Sequence, residues 1–217
     1  VLFFLFYKNK AKLKNDIKYS GRNYLELISQ PRFLQAMIAS AFGYAIMTFL
    51  MTATPLSMHV MEKMSLDKTS MVIQFHVASM FLPSLLTGHL IKKIGHSLVM
   101  YAGIFLYSIT ILISFFDQTY MNYMFALIFL GLGWNFLFIS GTSLLVLTYK
   151  EEEKFKAQGL NDFIVYSIHA IGSLSAGILI VLTNWKFMNI MCIPLLIIII
   201  LTILRADIHS KKLIKNN

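Results

Sequence analysis

Polar side chains standing inside long apolar runs are where this sequence could do chemistry. Asp162, Tyr166, His169 and Ser173 follow one another at spacings of four, three and four, on one face of a helix. Tyr44, Thr48 and Thr52 fall four apart on an earlier run, Gln74 and His76 lie in the next, and Trp134 and Asn135 sit mid-way along another. A polar group in an apolar environment costs free energy unless it meets a partner, a cavity or a ligand. Aromatic rings with a polar tip offer flat apolar contact plus a hydrogen bond, and Asn both donates and accepts. These residue types fit reversible binding of a small solute. Tyr44, Thr48, Gln74, His76, Trp134, Asn135, Asp162, Tyr166 and His169 are the candidate lining residues, with His169, Tyr166 and Asn135 foremost.

Each also has a plainer reading. Asp162, near the start of its run, suits a helix N-terminus. His76 and His169 suit interhelical hydrogen bonds, and the threonines suit bonds back to their own helix. Covalent catalysis has little to work with, because it needs a nucleophile with its base, or several metal ligands, at one depth. The runs hold His76 and His169, no acid cluster and the chain's one cysteine, Cys192, so no metal site, cofactor or disulfide is expected. Met and Phe supply packing material. An intramembrane enzyme and a non-transporting scaffold or sensor are the alternatives to a solute carrier.

The elements that must position these residues are six apolar runs: Phe33–Met58, Ser70–Ile91, Leu98–Phe116, Tyr120–Leu147, Leu160–Leu182 and Phe187–Leu204. About 20 apolar residues at 1.5 Å rise cross a ~30 Å hydrocarbon core. The composition agrees, with 57% hydrophobic and 13% charged residues and a mean hydropathy of +0.68. The expected fold class is all-α, a polytopic membrane protein of six transmembrane helices. Pro55, Pro83 and Pro194 lie within these runs and mark expected bends. The small-residue pairs Ala41–Ala45, Gly172–Ala176 and Ser173–Gly177 predict that the first and fifth spans are buried in a bundle.

A net charge of +9 could signal a nucleic-acid binder, but its distribution signals a membrane. Of the 19 Lys and Arg, all but Lys63, Lys68 and Lys186 fall in the leading segment, the second and fourth loops and the closing tail. The positive-inside rule places those segments, and hence both termini, in the cytoplasm. The partners this implies are membrane lipids, not nucleic acid. Residues 1–7 read as the end of a preceding transmembrane helix and 8–32 as a basic cytoplasmic linker. Residues 33–205 read as the bundle and 206–217 as a cytoplasmic tail, the whole being the C-terminal part of a longer protein.

The second basic loop reads Gly88-His-Leu90-Ile-Lys92-Lys93-Ile-Gly95-His96. Gly88, Leu90, Lys93 and Gly95 resemble the G-x-L-x-D-R-x-G-R-[RK] loop of the major facilitator superfamily. Lys92 stands in the acidic position, as in the degenerate copy of the second half. The run Gly131-Leu-Gly133-Trp134-Asn135-Phe136 with Gly141-Thr-Ser143-Leu-Leu145 resembles the fourth span of such a half, and Tyr149–Asp162 its charged connection and glycine entry to the fifth. The resemblance covers roughly residues 33–204 and is closest to uncharacterised bacterial permeases. It implies one half of such a carrier, built as two inverted three-helix repeats, in a bacterial inner membrane. It implies alternating access against an N-terminal six-helix half, a small-molecule substrate and possible coupling to an ion, with the Gly88–Gly95 loop as a conformational brace. By the same resemblance, the start of the fifth span near Gly159 would accept the matching loop of the other half.

Overall fold

A computed structural model describes residues 21–216. The expected helix end at residues 1–7 and the linker up to residue 20 lie outside the described residues. The chain enters through a short helix α1 (Tyr24–Ser29), closed by a capping box in which Asn23 and Glu26 each accept the other's backbone N–H at 2.8 Å. Pro31 then opens α2 (Pro31–Pro55), whose last turn runs into a π-helical stretch, Leu56–Met61; together they form span 1. Span 2 is α3 (Leu66–Phe81) and α4 (Ser84–Ile94), bent 41° at their junction. Spans 3 and 4 are α5 (His96–Ile113) and α6 (Tyr120–Val146). A single 3-10 turn, Glu151–Glu153, precedes α7 (Lys154–Leu182), which is span 5. Span 6 is α8 (Trp185–Met191) continued by α9 (Ile193–Asn216). Among the described residues five helices are long and apolar enough to cross a membrane, and the bent pair makes a sixth.

Each interior proline falls at an irregularity. Pro83 lies in the break of span 2, Pro55 directly precedes the π-helical stretch, and Pro194 follows the break between α8 and α9. Ser65, Thr119 and Asn184 cap the helices that leave the three loops of the less basic end. At the opposite end Arg32 meets Asp207 at 2.9 Å, so the chain enters span 1 and leaves span 6 on the same side.

The packing has a two-fold pattern. Spans 1 and 4 pack together at the centre; span 1 also packs on spans 5 and 6, and span 4 on spans 2 and 3. Exchanging 1 with 4, 2 with 5 and 3 with 6 leaves this scheme unchanged, and spans 1 and 4 run in opposite directions. That is the arrangement of inverted three-helix repeats.

Glycine makes the central contacts possible. A Cβ on Gly141 would stand 2.8 Å from the Ala36 carbonyl oxygen, and one on Gly131 would collide with Ser79 Oγ and come within 2.7 Å of the His76 carbonyl oxygen. The small-residue expectation holds in part. Ala45 and Ala176 are buried, and the backbones of spans 1 and 5 approach at Gly172. The most apolar stretch of span 5, however, is only 17% buried against 78% for that of span 1, and Gly177 has open space around it. One close pair seats a helix without enclosing it, so among the described residues span 1 is buried and span 5 is largely exposed.

The segment before α1 is clamped to the loop between spans 4 and 5. Arg22 Nη2 donates to Glu153 Oε2 at 2.5 Å and to the Thr148 carbonyl at 3.1 Å, and Arg22 Nε donates to Glu153 Oε1 at 2.8 Å. The backbone amides of Arg22 and Lys150 also donate to this carboxylate. Hydrogen bonds from Arg22, together with these amides, hold the Glu153 carboxyl well below the usual carboxylate range. Stability from such a depressed group is fully present above the ordinary carboxylate range and is lost progressively as pH falls from that range to the depressed value.

Glu153→Gln is therefore expected to destabilise the protein by about 2 kcal/mol, below the range for fully buried pairs because the Arg22 side chain is 32% exposed. The loss should be constant between about pH 5 and 8, read from thermal unfolding in detergent. On the same readout Gly131→Ala should cost about 2 kcal/mol by overpacking. Gly177→Ala, with room for its methyl group, should be neutral or stabilise by up to about 1 kcal/mol.

Candidate functional site

The candidate residues separate into a group that converges and a group that does not. Tyr44 and Thr48 lie near the middle of span 1, Trp134 near the middle of span 4 and His169 near the middle of span 5. Thr48 Oγ1 and His169 Nδ1 are 2.7 Å apart. The Tyr44 and His169 rings stack with centroids 4.5 Å apart, and Tyr44 also packs against Trp134 at 5.6 Å. Phe138 stacks on Trp134 at 5.0 Å, and Phe81, at the break of span 2, meets its edge at 5.8 Å. The result is an aromatic cluster drawn from spans 1, 2, 4 and 5 at one depth. Phe138 is legible in the sequence, one helical turn after Trp134 on the same face. Phe81 carries no such signal, because its position depends on the bend beside it.

The cluster presents polar atoms that find no partner among the described residues. Trp134 is 6% exposed, yet its indole N–H has no hydrogen-bond partner among the described residues. Among the described residues the Tyr44 and Tyr166 hydroxyls have no hydrogen-bond partner, and His169 has none beyond Thr48. Tyr166 is 59% exposed on the outer face of span 5, one turn from His169. If His169 accepts from the Thr48 hydroxyl at Nδ1, its Nε2–H remains to donate; the other tautomer leaves Nε2 as an acceptor. Rings that stack, with donors and acceptors at their edges, can hold a flat polar solute.

The remaining candidates sit elsewhere. Asn135 is fully buried: its Nδ2 donates to the Met80 carbonyl and to Ser84 Oγ, each at 2.7 Å, and its Oδ1 accepts from Thr87 at 2.6 Å. It ties span 4 to the break in span 2. Met80 is the residue whose carbonyl would accept the Ser84 amide in an unbroken helix. His76 is fully buried, with Nδ1 at 2.7 Å from the Leu127 carbonyl, so it donates there. Gln74 is exposed and bonded to Ser70 on its own helix. Asp162 is exposed, accepts from Asn161 at 3.2 Å, and lies more than two turns inside α7. The N-terminal reading of Asp162 is thereby corrected: the helix starts at Lys154, well ahead of the apolar run that marked it.

At the basic end, Gly95 takes a positive φ of 86°, the conformation that lets the chain turn from α4 directly into α5. Lys92 and Lys93 occupy the last turn of α4, and Gly88 faces open space. Asn161, which the sequence did not single out, is buried and accepts from Ser40 at 3.3 Å. Among the described residues no group of three or more His, Cys, Asp or Glu could hold a metal ion.

Comparison with known proteins agrees with this architecture. The family model described as Major Facilitator Superfamily matches residues 36–216. The chain is 36% identical to a protein of Brucella anthropi named riboflavin transporter RfnT, over 94% of this chain and 51% of the relative. It is 27% identical to YddS of Bacillus subtilis, named an uncharacterized transporter of the same type, over 84% of this chain and 42% of the relative. YdeG of the same organism, likewise named, is 33% identical over 62% of this chain and 32% of the relative. The chain thus spans about half the length of the curated relatives it matches, or less. Six spans in inverted repeats, a glycine-bounded turn at the basic end and a match over most of its length lead to one conclusion: this chain belongs to the Major Facilitator Superfamily, a family of membrane transporters.

Proposed function

We propose that the chain is the C-terminal half of a carrier that moves a flat heteroaromatic solute of the flavin class by alternating access. The observation that carries this reading is the mid-depth cluster of Tyr44, Trp134, Phe138 and His169, with its unused polar edge atoms. A fused, hydrogen-bonding ring system complements such a surface better than a sugar or an inorganic ion does. The name of the relative from Brucella anthropi points to the same chemistry. The other wall of the site belongs to an N-terminal half, packed against the exposed faces of spans 2 and 5. Rocking of the two halves would expose the cluster to each side of the membrane in turn. Asp162, the acid nearest the cluster on span 5, is exposed toward that partner; any coupling ion is held there or in the partner half. The basic end faces the cytoplasm of a bacterial inner membrane, an orientation that the distribution of Lys and Arg supports.

The test is flux of labelled riboflavin into liposomes containing the full-length carrier. Tyr44→Leu and His169→Ala should each lower the initial rate at subsaturating solute about tenfold, the worth of one aromatic contact of roughly 1–1.5 kcal/mol. Their thermal unfolding midpoints should stay near that of the parent. Flux no greater than through empty liposomes, with no competition by other flat heterocycles, would sink the substrate class. Orientation is tested separately. Single cysteines at Lys92 and Lys150 should react with an impermeant maleimide only in inside-out vesicles, and one at Lys68 only in right-side-out cells. Native Cys192 is buried and should stay silent. Labelling of Lys92 and Lys150 from opposite sides would overturn the topology.

A further inference from the structure

A groove of about 650 Å³ lies between the Ser29–Pro31 turn and the outer face of α9, and it is built in two zones. Leu201, Leu204 and Ile208 form its apolar floor, and Arg205, His209 and Lys212 its polar rim. On a helix these six residues fall within one face. We propose that the groove holds an anionic phospholipid, its phosphate gripped by Arg205 and Lys212 and its acyl chains laid along Leu201 and Leu204. The site requires only that these helices sit in a bilayer, so it stands apart from the choice of solute.

Three observations carry the proposal. The first is depth. Asp207 pairs with Arg32 at 2.9 Å and accepts from Ser97 at 2.7 Å, which sets α9 at the level where spans 1 and 3 begin. Arg205 and Lys212 straddle that boundary, while Leu201 and Leu204, both exposed, lie on its hydrocarbon side. A lipid headgroup and its first methylenes occupy this depth.

The second is unbalanced charge. Arg205 and Lys212 make no ion pair among the described residues, and the groove has no acidic lining residue. The acid nearest in sequence, Asp207, is already engaged by Arg32 and Ser97. The third is what the cations do not do. Favourable interaction with a helix C-terminus is confined to its last turn, and Arg205 lies three turns before Asn216. A cationic rim over an apolar floor at the membrane boundary complements an anionic amphiphile and neither a free sugar nor a neutral lipid.

Native mass spectrometry of the full-length protein tests this, with phosphatidylglycerol, phosphatidylcholine and inorganic phosphate titrated in turn. Each cation near an anionic headgroup is worth roughly fivefold in occupancy, so Arg205→Gln with Lys212→Gln should weaken phosphatidylglycerol binding on the order of twenty-fivefold. Lys211→Gln with Lys215→Gln removes the same charge from the same helix outside the groove and should weaken it less than about threefold. Arg205→Lys with Lys212→Arg should restore binding. Equal losses in the two glutamine pairs would show diffuse attraction and overturn the site. So would equal binding of phosphatidylcholine, or displacement of the lipid by millimolar phosphate, which would reveal a plain anion site. Should the Arg205/Lys212 glutamine pair fail to fold, preference of the parent protein for phosphatidylglycerol, with resistance to phosphate, decides the question alone.

Discussion

The crossing of spans 1 and 4 is the constraint on which the rest of this half depends. Helices in lipid gain little from the hydrophobic effect and associate through close packing and hydrogen bonds. Here the backbones approach until a side chain at Gly141 would strike the facing backbone, and Gly43 leaves little room opposite. A Cβ on Gly141 would meet Ala36 and Ser40, and one on Gly43 would lie 3.0 Å from Leu137. Tyr107 of span 3 adds a hydroxyl donor to the Gly43 carbonyl at 2.6 Å. Because spans 1 and 4 meet this closely, spans 3 and 6 are left to flank them on one side and spans 2 and 5 on the other. The depth of the aromatic cluster is a consequence, since Tyr44 and Trp134 belong to these two helices.

A second constraint comes from lipid as a solvent for broken helices. A carbonyl freed at a break has no water to turn to and must find a protein partner. In span 2 that partner is Asn135, reaching from span 4 to Met80 with Ser84 and Thr87 as its other contacts. The bend therefore has a cost that a neighbouring helix offsets, and in return it brings Phe81 against Trp134. Asn135 does its work one residue from the cluster, about 100° further round the helix. Adjacent residues on a helix do not face the same way.

Much of the fold was legible because lipid simplifies the sequence code. Run lengths located the six spans, and the prolines located every irregularity to within a few residues. Boundaries were less legible. The charged stretch Lys154–Gly159 gave no apolar signal, yet it is helical, and this misplaced Asp162 relative to its helix start. The site was only partly legible for a different reason. His76 and His169 are the same residue type in similar apolar runs. Which one is sealed against Leu127 and which one is stacked on Tyr44 follows from the face each helix packs, and periodicity alone does not give that. Contacts such as Arg22 with Glu153 join residues more than a hundred positions apart and leave no local trace.

The unequal burial of spans 1 and 5 ties these threads to function. Span 1 is enclosed, whereas its neighbour span 5 shows most of its surface, including Phe163, Tyr166 and Ile171. In a monomeric bundle such a helix would simply face lipid. Yet this one carries Asp162 on its exposed surface and His169 at its edge, and a carboxylate facing hydrocarbon is costly even with its one bond from Asn161. The cost vanishes if that face borders a water-filled passage shared with another bundle. The polar and aromatic groups at the boundary of spans 1, 4 and 5 then form one wall of the passage. An incomplete surface and an incompletely hydrogen-bonded cluster would then share one physical cause.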